Sequence, residues 1–217
     1  MTKTRNLYVM ISQTDTGIGM MIRNFSRYSY NHVSVTMDES MRTWYSFIRY
    51  HHDFPFYAGF APEPVERFLA KGMDAPVRIF KVKIPEGKAR QLEQLFACAG
   101  QPDTGLLYNY FDAIAASVKR KVDIPGAYTC LSFTCAVLDK HYITIAELND
   151  DLMPCMIYDG TLNSLTPDSG NREDPYFANV GFFRGTWKGW LQFNSLTLRL
   201  IRHNVSDLVD QRLHTTV

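Results

Sequence analysis

The sequence predicts an α+β fold in which an antiparallel sheet packs against a helix that begins at a cysteine. Apolar and polar residues alternate strictly over residues 32–37 and 77–84, as they do in a strand with one buried face. The aromatic-rich residues 43–49 follow a polar turn at residues 38–40, which predicts an antiparallel hairpin or meander. Residues 129–140 carry an apolar stripe at helical spacing, so they are expected to form the helix that packs on the sheet.

The first half of the chain supplies further elements with the same two periodicities. The apolar, β-favouring residues 7–11 predict a buried strand, and apolar residues spaced i, i+3, i+4 and i+7 predict a short helix over residues 18–25. Proline and glycine punctuate the aromatic residues 54–59, which we interpret as a loop. Residues 63–71 are expected to form a helical turn, and residues 88–99 a helix.

The second half of the chain is expected to be helix and loop before it ends in strands. Residues 106–118 have a helical pattern, which the Ile-Pro-Gly sequence at residues 124–126 breaks. A shorter helical piece follows residue 145. Residues 158–180 are rich in Asn, Asp, Gly, Pro and Ser, which predicts a long loop, and residues 187–201 are expected to supply one or two late strands.

The composition fits one compact domain. The chain has 217 residues, of which 46% are hydrophobic and 21% charged, so it can bury a core without disulfides or a structural metal. Residues 1–217 are therefore interpreted as a single domain, with residues 158–217 as a loop-and-strand extension. Lys and Arg number 23 against 22 Asp and Glu, and the only dense basic tract is residues 119–121. A protein that binds nucleic acid through its phosphates carries a basic excess, so nucleic acid is not an expected partner.

The sequence contains no recognisable export signal or membrane-spanning segment. The apolar run after the basic N-terminus is too short for a signal core, and no apolar stretch approaches the roughly 20 residues that cross a bilayer. A cytoplasmic location is therefore expected, with the four cysteines as free thiols. There is no CxxC pair and no glycine-rich phosphate loop of the Walker type, so neither a metal nor a cofactor is expected.

One cysteine occupies a position in which a thiol becomes a nucleophile. Thr129 is a candidate N-cap, which places Cys130 in the first turn of the predicted helix, where the helix N-terminus stabilises a thiolate. Taken alone, Cys130 fits a core residue equally well. The other three, Cys98, Cys135 and Cys155, are interpreted as small hydrophobic residues without a chemical role.

A base for this nucleophile is available on a predicted strand. His32 heads the strand and shares its polar face with Ser34 and Thr36, and a strand holds an imidazole more firmly than a loop does. A third group usually orients such an imidazole by accepting from its other ring nitrogen. On the neighbouring strand the candidates are Tyr45 and Ser46, and the strand register decides which one faces His32. We favour Ser46.

The order of these segments resembles that of the permuted papain-like amidases. Residues 31–35 (Asn-His-Val-Ser-Val) precede residues 45–49 (Tyr-Ser-Phe-Ile-Arg), and residues 127–133 (Ala-Tyr-Thr-Cys-Leu-Ser-Phe) open a helix. That group includes YiiX-type bacterial proteins and lecithin–retinol acyltransferase, relatives of the NlpC-type cell-wall peptidases. In its members the histidine begins a strand and precedes the cysteine, which begins a helix packed on the sheet. The resemblance extends over roughly residues 7–140.

The resemblance implies a papain-like, NlpC-type fold in permuted order and a cysteine-dependent hydrolase of the amidase or peptidase type. In such an enzyme His32 takes the proton of Cys130, the thiolate attacks an amide or ester carbonyl, and a thioacyl intermediate forms. The backbone N–H of Cys130 would help to hold the oxyanion. Tyr108, Tyr110 and Tyr128 are the candidate substrate-contacting side chains, and the first two are candidates for a second oxyanion donor.

Two other functions fit the same sequence. Some members of the group act on lipids, so a lipid-directed acyltransferase or esterase is one alternative, with the aromatic residues 54–60 and 182–190 as candidate walls of an apolar cleft. A non-catalytic ligand-binding module that keeps the fold with an idle dyad is the other. The expected partner is a small amide, peptide or lipid-like substrate; peripheral lipid contact and the oligomeric state stay open.

Overall fold

The computed structural model describes residues 3–14, 28–54, 56–69, 74–101, 104–165, 175–177 and 182–214. Its strands are β1 (Thr4–Ser12), β2 (His32–Thr36), β3 (Thr43–Arg49), β4 (Ala58–Pro64), β5 (Pro76–Pro85), β6 (Leu107–Tyr108), β7 (Ala127–Tyr128) and β8 (Met156–Thr161). Its α-helices are α1 (Val65–Phe68), α2 (Glu86–Ala97), α3 (Tyr110–Ala115), α4 (Cys130–Leu138), α5 (Ile145–Leu152), α6 (Leu162–Leu165) and α7 (Phe182–His214). The predicted α+β class is confirmed.

The central sheet has six strands in the order β4-β3-β2-β1-β5-β8, and every neighbouring pair is antiparallel. β1 pairs along its whole length with β5, from Thr4 opposite Pro85 to Ser12 opposite Val77. β2 and β3 are joined in the register that sets Val35 opposite Tyr45. The strands predicted from alternation and from apolar runs therefore form one antiparallel sheet, as expected.

One face of the sheet is covered by α2, α4 and α5. Phe133 and Val137 of α4 are buried in a cluster with Val33, Val35 and Phe47 of the sheet. Burying a side chain of this size stabilises the fold by about 1.5–3 kcal/mol, so these contacts hold α4 firmly against β2 and β3. The predicted helix at residues 129–140 is confirmed, with bounds of 130–138.

The opposite face of the sheet is also buried. Tyr8, Met10 and Trp44 form a second cluster there with Val65 and Phe68 of α1. All five residues of β2 are buried as a result, including its polar residues. Buried polar groups need hydrogen-bond partners, so the polar side chains of β2 must be satisfied inside the protein.

The edge strand β4 corrects two predictions. Residues 58–64 form a strand where we expected a loop over residues 54–59 and the start of a helical turn over residues 63–71. The strand contains prolines at 62 and 64, which an edge strand tolerates because its outer N–H groups have no partner strand. Only the four residues of α1 are helical.

A short strand replaces the beginning of the helix predicted over residues 106–118. Leu107 and Tyr108 of β6 pair in parallel with Ala127 and Tyr128 of β7. α3 begins only after Asn109, whose side-chain oxygen accepts a hydrogen bond from the Asp112 N–H at 3.0 Å. This cap ends the extended backbone of β6 and starts the helix.

The C-terminal part of the chain differs most from the prediction. Residues 156–161 form the edge strand β8, followed by the one-turn helix α6, within the segment 158–180 that we expected to be a loop. Residues 187–201, expected as strands, lie in the single 33-residue helix α7. The loop-and-strand extension of residues 158–217 is therefore wrong. The helix predicted over residues 18–25 lies outside the described residues.

α7 buries one side and exposes large apolar residues on another. Leu196 is fully buried against Ala58, Leu107 and Tyr110. Over residues 185–204, where the side chains of this helix are described, the exposed large apolar residues are Trp187, Trp190, Leu191, Phe193, Leu198 and Ile201. Leu196 therefore packs α7 against the rest of the fold, while much of the apolar surface of the helix stays exposed to solvent.

Within the described ranges, no helix combines the length and the apolar character that crossing a bilayer requires.

Candidate active site

The first turn of α4 is held by its own side chains. Thr129 Oγ1 accepts a hydrogen bond from the Ser132 N–H at 3.1 Å, and Ser132 Oγ accepts one from the Thr129 N–H at 2.8 Å. This reciprocal capping box begins the helix at Cys130. Since the first N–H groups of a helix have no acceptor within it, those of Cys130 and Leu131 are available to a ligand. The predicted N-cap at Thr129 is confirmed.

A buried carboxylate connects the cap of α4 to α3. Thr129 Oγ1 donates to Asp112 Oδ2 at 3.4 Å, and the Val122 N–H donates to Asp112 Oδ1 at 3.1 Å. Burial raises the pKa of Asp112 above its ordinary value, although the Val122 hydrogen bond opposes the rise. Asp112 therefore fixes the position from which Cys130 projects.

His32 begins β2 and Cys130 begins α4, and the two side chains lie close enough for Cys130 to raise the pKa of His32. The imidazole is buried, with Nε2 lying 2.9 and 3.0 Å from the two carboxylate oxygens of Glu63 on β4. Cys130, His32 and Glu63 are therefore the nucleophilic, basic and acidic side chains of the candidate site.

Two serine hydroxyls complete the shell around the carboxylate. Ser34 Oγ donates to Glu63 Oε2 at 2.7 Å, and Ser46 Oγ donates to the same oxygen at 2.6 Å. Both serines and Glu63 are buried. These two hydrogen bonds hold the carboxylate of Glu63 in one orientation relative to the imidazole of His32. A buried carboxylate without such donors would not be fixed in this way.

Ser46 faces His32, as we favoured, but it does not occupy the orienting position. Its Oγ lies 3.2 Å from His32 Nε2, farther than either oxygen of Glu63. Its proton goes to Glu63, which is the group that accepts from the ring. Tyr45, the other candidate, packs on the opposite face of the sheet against Phe96.

Glu63 is the functional residue that the sequence reasoning missed. It lies between Pro62 and Pro64, and we placed it at the start of a helical turn. The structure pairs Trp44 with Glu63 and Ser46 with Ala61 across β3 and β4, so Glu63 points to the same face as Ser46. Recognising residues 58–64 as an edge strand beside β3 would have identified it.

The charges of His32 and Glu63 stabilise each other. Burial by itself lowers the pKa of His32, but the negative charge of Glu63 and the hydrogen bond with Cys130 outweigh it and raise this pKa to about 10. Burial likewise raises the pKa of Glu63, and the positive charge of His32 reverses this and leaves the pKa below its ordinary value. The pair is therefore an imidazolium and a carboxylate at neutral pH.

A cavity of about 250 Å³ opens at Cys130. Tyr108 lines it together with Asn31, Thr129 and Leu131. Burial raises the pKa of Tyr108, and the neighbouring Cys130 and Asp112 raise it further. The Tyr108 hydroxyl therefore keeps its proton and stays a hydrogen-bond donor at this cavity.

The other two tyrosines do not line this cavity. Tyr110 is buried among Phe56, Tyr108 and Phe193, and its hydroxyl has no hydrogen-bond partner within the described chain. Tyr128 packs against Phe47 and lines a separate cavity of about 520 Å³. Of the three predicted substrate-contacting residues, the structure brings only Tyr108 to Cys130.

The remaining cysteines lie away from the His32–Glu63 pair. Cys135 is buried one and a half turns further along α4, and burial raises the pKa of its thiol. Cys98 is exposed just after α2, and Cys155 is half-buried. Among the residues that the structure describes, no cluster of three or more His, Cys, Asp and Glu side chains is arranged to hold a metal ion.

Comparison of the chain with protein-family models, curated proteins and solved structures found no match in any of the three.

Proposed function

We propose that this protein is a cysteine-dependent hydrolase of the amidase or peptidase type that acts through a thioacyl intermediate. One observation carries the proposal: Cys130, the first residue of a capped helix, lies close enough to raise the pKa of a buried histidine whose Nε2 faces Glu63. A nucleophile, a base and a group that orients the base are the recurring parts of thiol catalysis. In this proposal Cys130 is the nucleophile, His32 the base, and Glu63 the orienting residue.

The first half of the reaction transfers the acyl group to sulfur. His32 holds the proton of Cys130, and the thiolate attacks the carbonyl carbon of the substrate. The tetrahedral intermediate collapses as the C–N bond breaks, and the His32 imidazolium donates its proton to the departing amine. A thioester on Cys130 and a free amine result.

The second half restores the enzyme with water. His32, now neutral, takes a proton from a water molecule that attacks the thioester carbonyl. The C–S bond breaks, a carboxylic acid leaves, and the thiolate faces the imidazolium again. Glu63 stays ionised throughout and holds the charged ring.

The oxyanion of both steps is held at the start of α4. The N–H groups of Cys130 and Leu131 lie at the positive end of the helix, where backbone donors stabilise developing negative charge. Tyr108 is the side-chain donor of the proposed oxyanion hole because it lines the same cavity and retains its proton.

The order of the elements supports a permuted papain-like arrangement. His32 opens a strand of the antiparallel sheet, and Cys130 opens a helix that follows it in the chain and packs on that sheet. The families that share this order act on amide or ester bonds, which is the chemistry proposed here.

Alkylation of the native thiols tests the proposed dyad. We expect Cys130 to react with iodoacetamide at or below neutral pH faster than the other three cysteines, because an adjacent imidazolium stabilises its thiolate. In His32→Ala this advantage should fall by about tenfold or more. Peptide mass spectrometry after timed alkylation gives the rate for each cysteine.

Cys98 serves as the internal control, since it is exposed and distant in sequence from the pair. If Cys130 reacts no faster than Cys98, or keeps its rate without His32, the dyad is idle and the chain is better explained as a ligand-binding module.

A lipid-directed esterase or acyltransferase is the second candidate, and α7 is the feature that favours it. Trp187 and Trp190 stack on each other 5.1 Å apart and are 60% and 54% exposed. No Asp or Glu occurs between residues 182 and 206, whereas Lys and Arg do. A cationic helix with exposed tryptophans is typical of a surface that lies in an anionic membrane interface.

Vesicles separate the two candidates. If the substrate is a lipid, anionic phospholipid vesicles should raise turnover of a fatty-acyl ester severalfold, and Trp187→Ala/Trp190→Ala should lose that stimulation. Ile157→Ala, which removes an exposed apolar residue of β8, should retain it. Equal rates with and without vesicles would favour the soluble amidase.

A further inference from the structure

The basic tract of residues 119–121 lies on the lining of the Cys130 cavity. Lys119, Arg120 and Lys121 follow the 3₁₀ turn after α3 and line the cavity with Cys130. This tract is the one dense cluster of positive charge in the sequence, and the proposed reaction assigns it no role.

Backbone hydrogen bonds hold the tract in place. The Lys119 N–H donates to the Ala116 carbonyl at 3.1 Å, and the Arg120 N–H donates to the Ala115 carbonyl at 3.0 Å. Lys119 itself has a φ of 54°, in the left-handed region. A non-glycine residue in that region marks a turn defined by its surroundings. An ordered turn therefore holds Lys119 and Arg120 at the cavity.

The two acids on the cavity lining, Asp112 and Glu147, accept hydrogen bonds from neutral neighbouring groups and make no ion pair with the basic tract among the described residues. Asp112 accepts from Val122 and Thr129, and Glu147 Oε2 accepts the Ile143 N–H at 2.8 Å before α5. Asp123 pairs with Lys121 at 3.1 Å. Within the described parts of the chain, Lys119 and Arg120 make no ion pair, and both are exposed. Lys119 and Arg120 are therefore the two cations of the lining that can pair with an anionic ligand.

The rest of the lining is largely apolar and aromatic. Tyr30, Leu131, Tyr142, Ile143 and Ile145 all contribute to it. A site with an apolar wall and a few charged groups binds a ligand whose apolar body carries a matching charge. Arg is suited to this role because its planar guanidinium binds carboxylate or phosphate with two hydrogen bonds.

We infer that the Cys130 cavity takes substrates whose apolar body bears an anionic group, a carboxylate or a phosphate, and that Lys119 and Arg120 bind this group. The inference rests on the proposed function and narrows its substrate class. An N-acyl amino acid or a peptide with a free carboxylate has this chemistry, and so does an acyl compound with a phosphate monoester.

Two alkylating reagents measure the charge preference without a known substrate. Iodoacetate and iodoacetamide both place the same CH₂ group on sulfur as iodide leaves, and they differ by one negative charge. We expect Lys119→Gln/Arg120→Gln to lower the ratio of the iodoacetate rate to the iodoacetamide rate at Cys130 by about three- to tenfold at low salt. Added salt should lower the ratio in the wild type and leave the variant nearly unchanged.

The matched control removes the same charge elsewhere. Lys81→Gln/Lys83→Gln takes two exposed cations from β5, neither of which lines the cavity. It should keep the wild-type ratio at Cys130. The ratio at exposed Cys98 should be the same in all three proteins, which separates a local effect from a change in net charge.

Protection experiments distinguish the two sources of the anion. Hippurate should slow alkylation of Cys130 by iodoacetamide more than its neutral amide does if the ligand is a carboxylate. Phenyl phosphate should slow it more than phenol if the ligand is a phosphate. Failure of both pairs, or an unchanged reagent ratio in Lys119→Gln/Arg120→Gln, overturns the inference. Neither result touches the dyad, which the His32→Ala alkylation decides.

Discussion

Glu63→Gln is expected to lower the pKa of His32 substantially from about 10. Burial is the largest influence on this imidazole and acts against its charge, and the carboxylate of Glu63 is the largest influence in the opposite direction. The amide keeps the shape and accepts from the serine hydroxyls, but it has no charge. Burial is then offset only by the neighbouring Cys130, so the imidazolium of His32 loses most of its stabilisation and its pKa falls.

Two measurements report this change. The pKa of His32 follows from an NMR titration of the imidazole carbons, with His32→Ala assigning the signal among the six histidines. The alkylation rate of Cys130 at pH 6 should fall by about tenfold or more, since each unit by which the pKa of His32 falls corresponds to about 1.36 kcal/mol. An unchanged imidazole pKa in Glu63→Gln would show that Glu63 carries no charge in the native state.

The same substitution should change stability in a pH-dependent way. The pKa of Glu63 is lowered in the folded protein, so its contribution to folding stability is complete above pH 4.5 and is lost as the pH falls. The pKa of His32 is raised, so its contribution to folding stability is complete below pH 6.5 and is lost as the pH rises toward 10. The free energy of unfolding of the wild type should therefore exceed that of Glu63→Gln most between pH 4.5 and pH 6.5, by roughly 3–5 kcal/mol. Urea unfolding at acid, intermediate and alkaline pH gives the three differences.

Glu93→Gln is the matched control for this experiment. Glu93 lies on α2 and pairs with Arg5 on the protein surface. An exposed ion pair contributes little, so the free energy of unfolding should change by less than about 1 kcal/mol at every pH. The pKa of His32 should not move. A stability loss as large as that of Glu63→Gln would mean that the pH effect comes from net charge and not from the buried pair.

The parts of this fold that were predictable from sequence are those with a local signal. Strict alternation identified β2 and β5, and the polar residue before an apolar stripe identified the start of α4. Those two elements carry His32 and Cys130, so half of the candidate site followed from patterns within single segments. The capping box at Thr129 is also local, because both of its residues belong to one turn.

The position of Glu63 in the candidate site depends on pairing between strands, which leaves no signal in the local sequence. Glu63 meets His32 because β4 adds to the sheet beside β3, and the register between those strands sets Glu63 on the face of Ser46. The edge position of β4 explains why the two prolines that flank Glu63 are tolerated in a strand.

α7 was mispredicted for a related reason. Its aromatic and β-branched residues favour a strand when read by composition, yet Leu196 is buried by contacts with β4, β6 and α3, which lie far away in the sequence. Tertiary packing selects the helix there.

Cys130→Ala is expected to remove acyl transfer altogether. p-Nitrophenyl acetate should acetylate Cys130 of the wild type, with sulfur attacking the ester carbonyl and p-nitrophenolate leaving, and the thioester should then hydrolyse. Without the thiol, turnover should drop by at least ~10³-fold, because a nucleophile that acts together with its base cannot be replaced by the rest of the site. The release of p-nitrophenolate gives the rate, and peptide mass spectrometry locates the acetyl group.

Cys135→Ala is the matched control for Cys130→Ala. Cys135 lies on the same helix and is buried, whereas Cys130 is half-buried at the cavity. Removing the core thiol should lower the free energy of unfolding by about 1 kcal/mol or more and leave turnover intact. Cys130→Ala should show the reverse, with stability within about 1 kcal/mol of the wild type and no turnover. If both variants lose stability and neither loses activity, Cys130 is a packing residue, and Cys130, His32 and Glu63 have no part in catalysis.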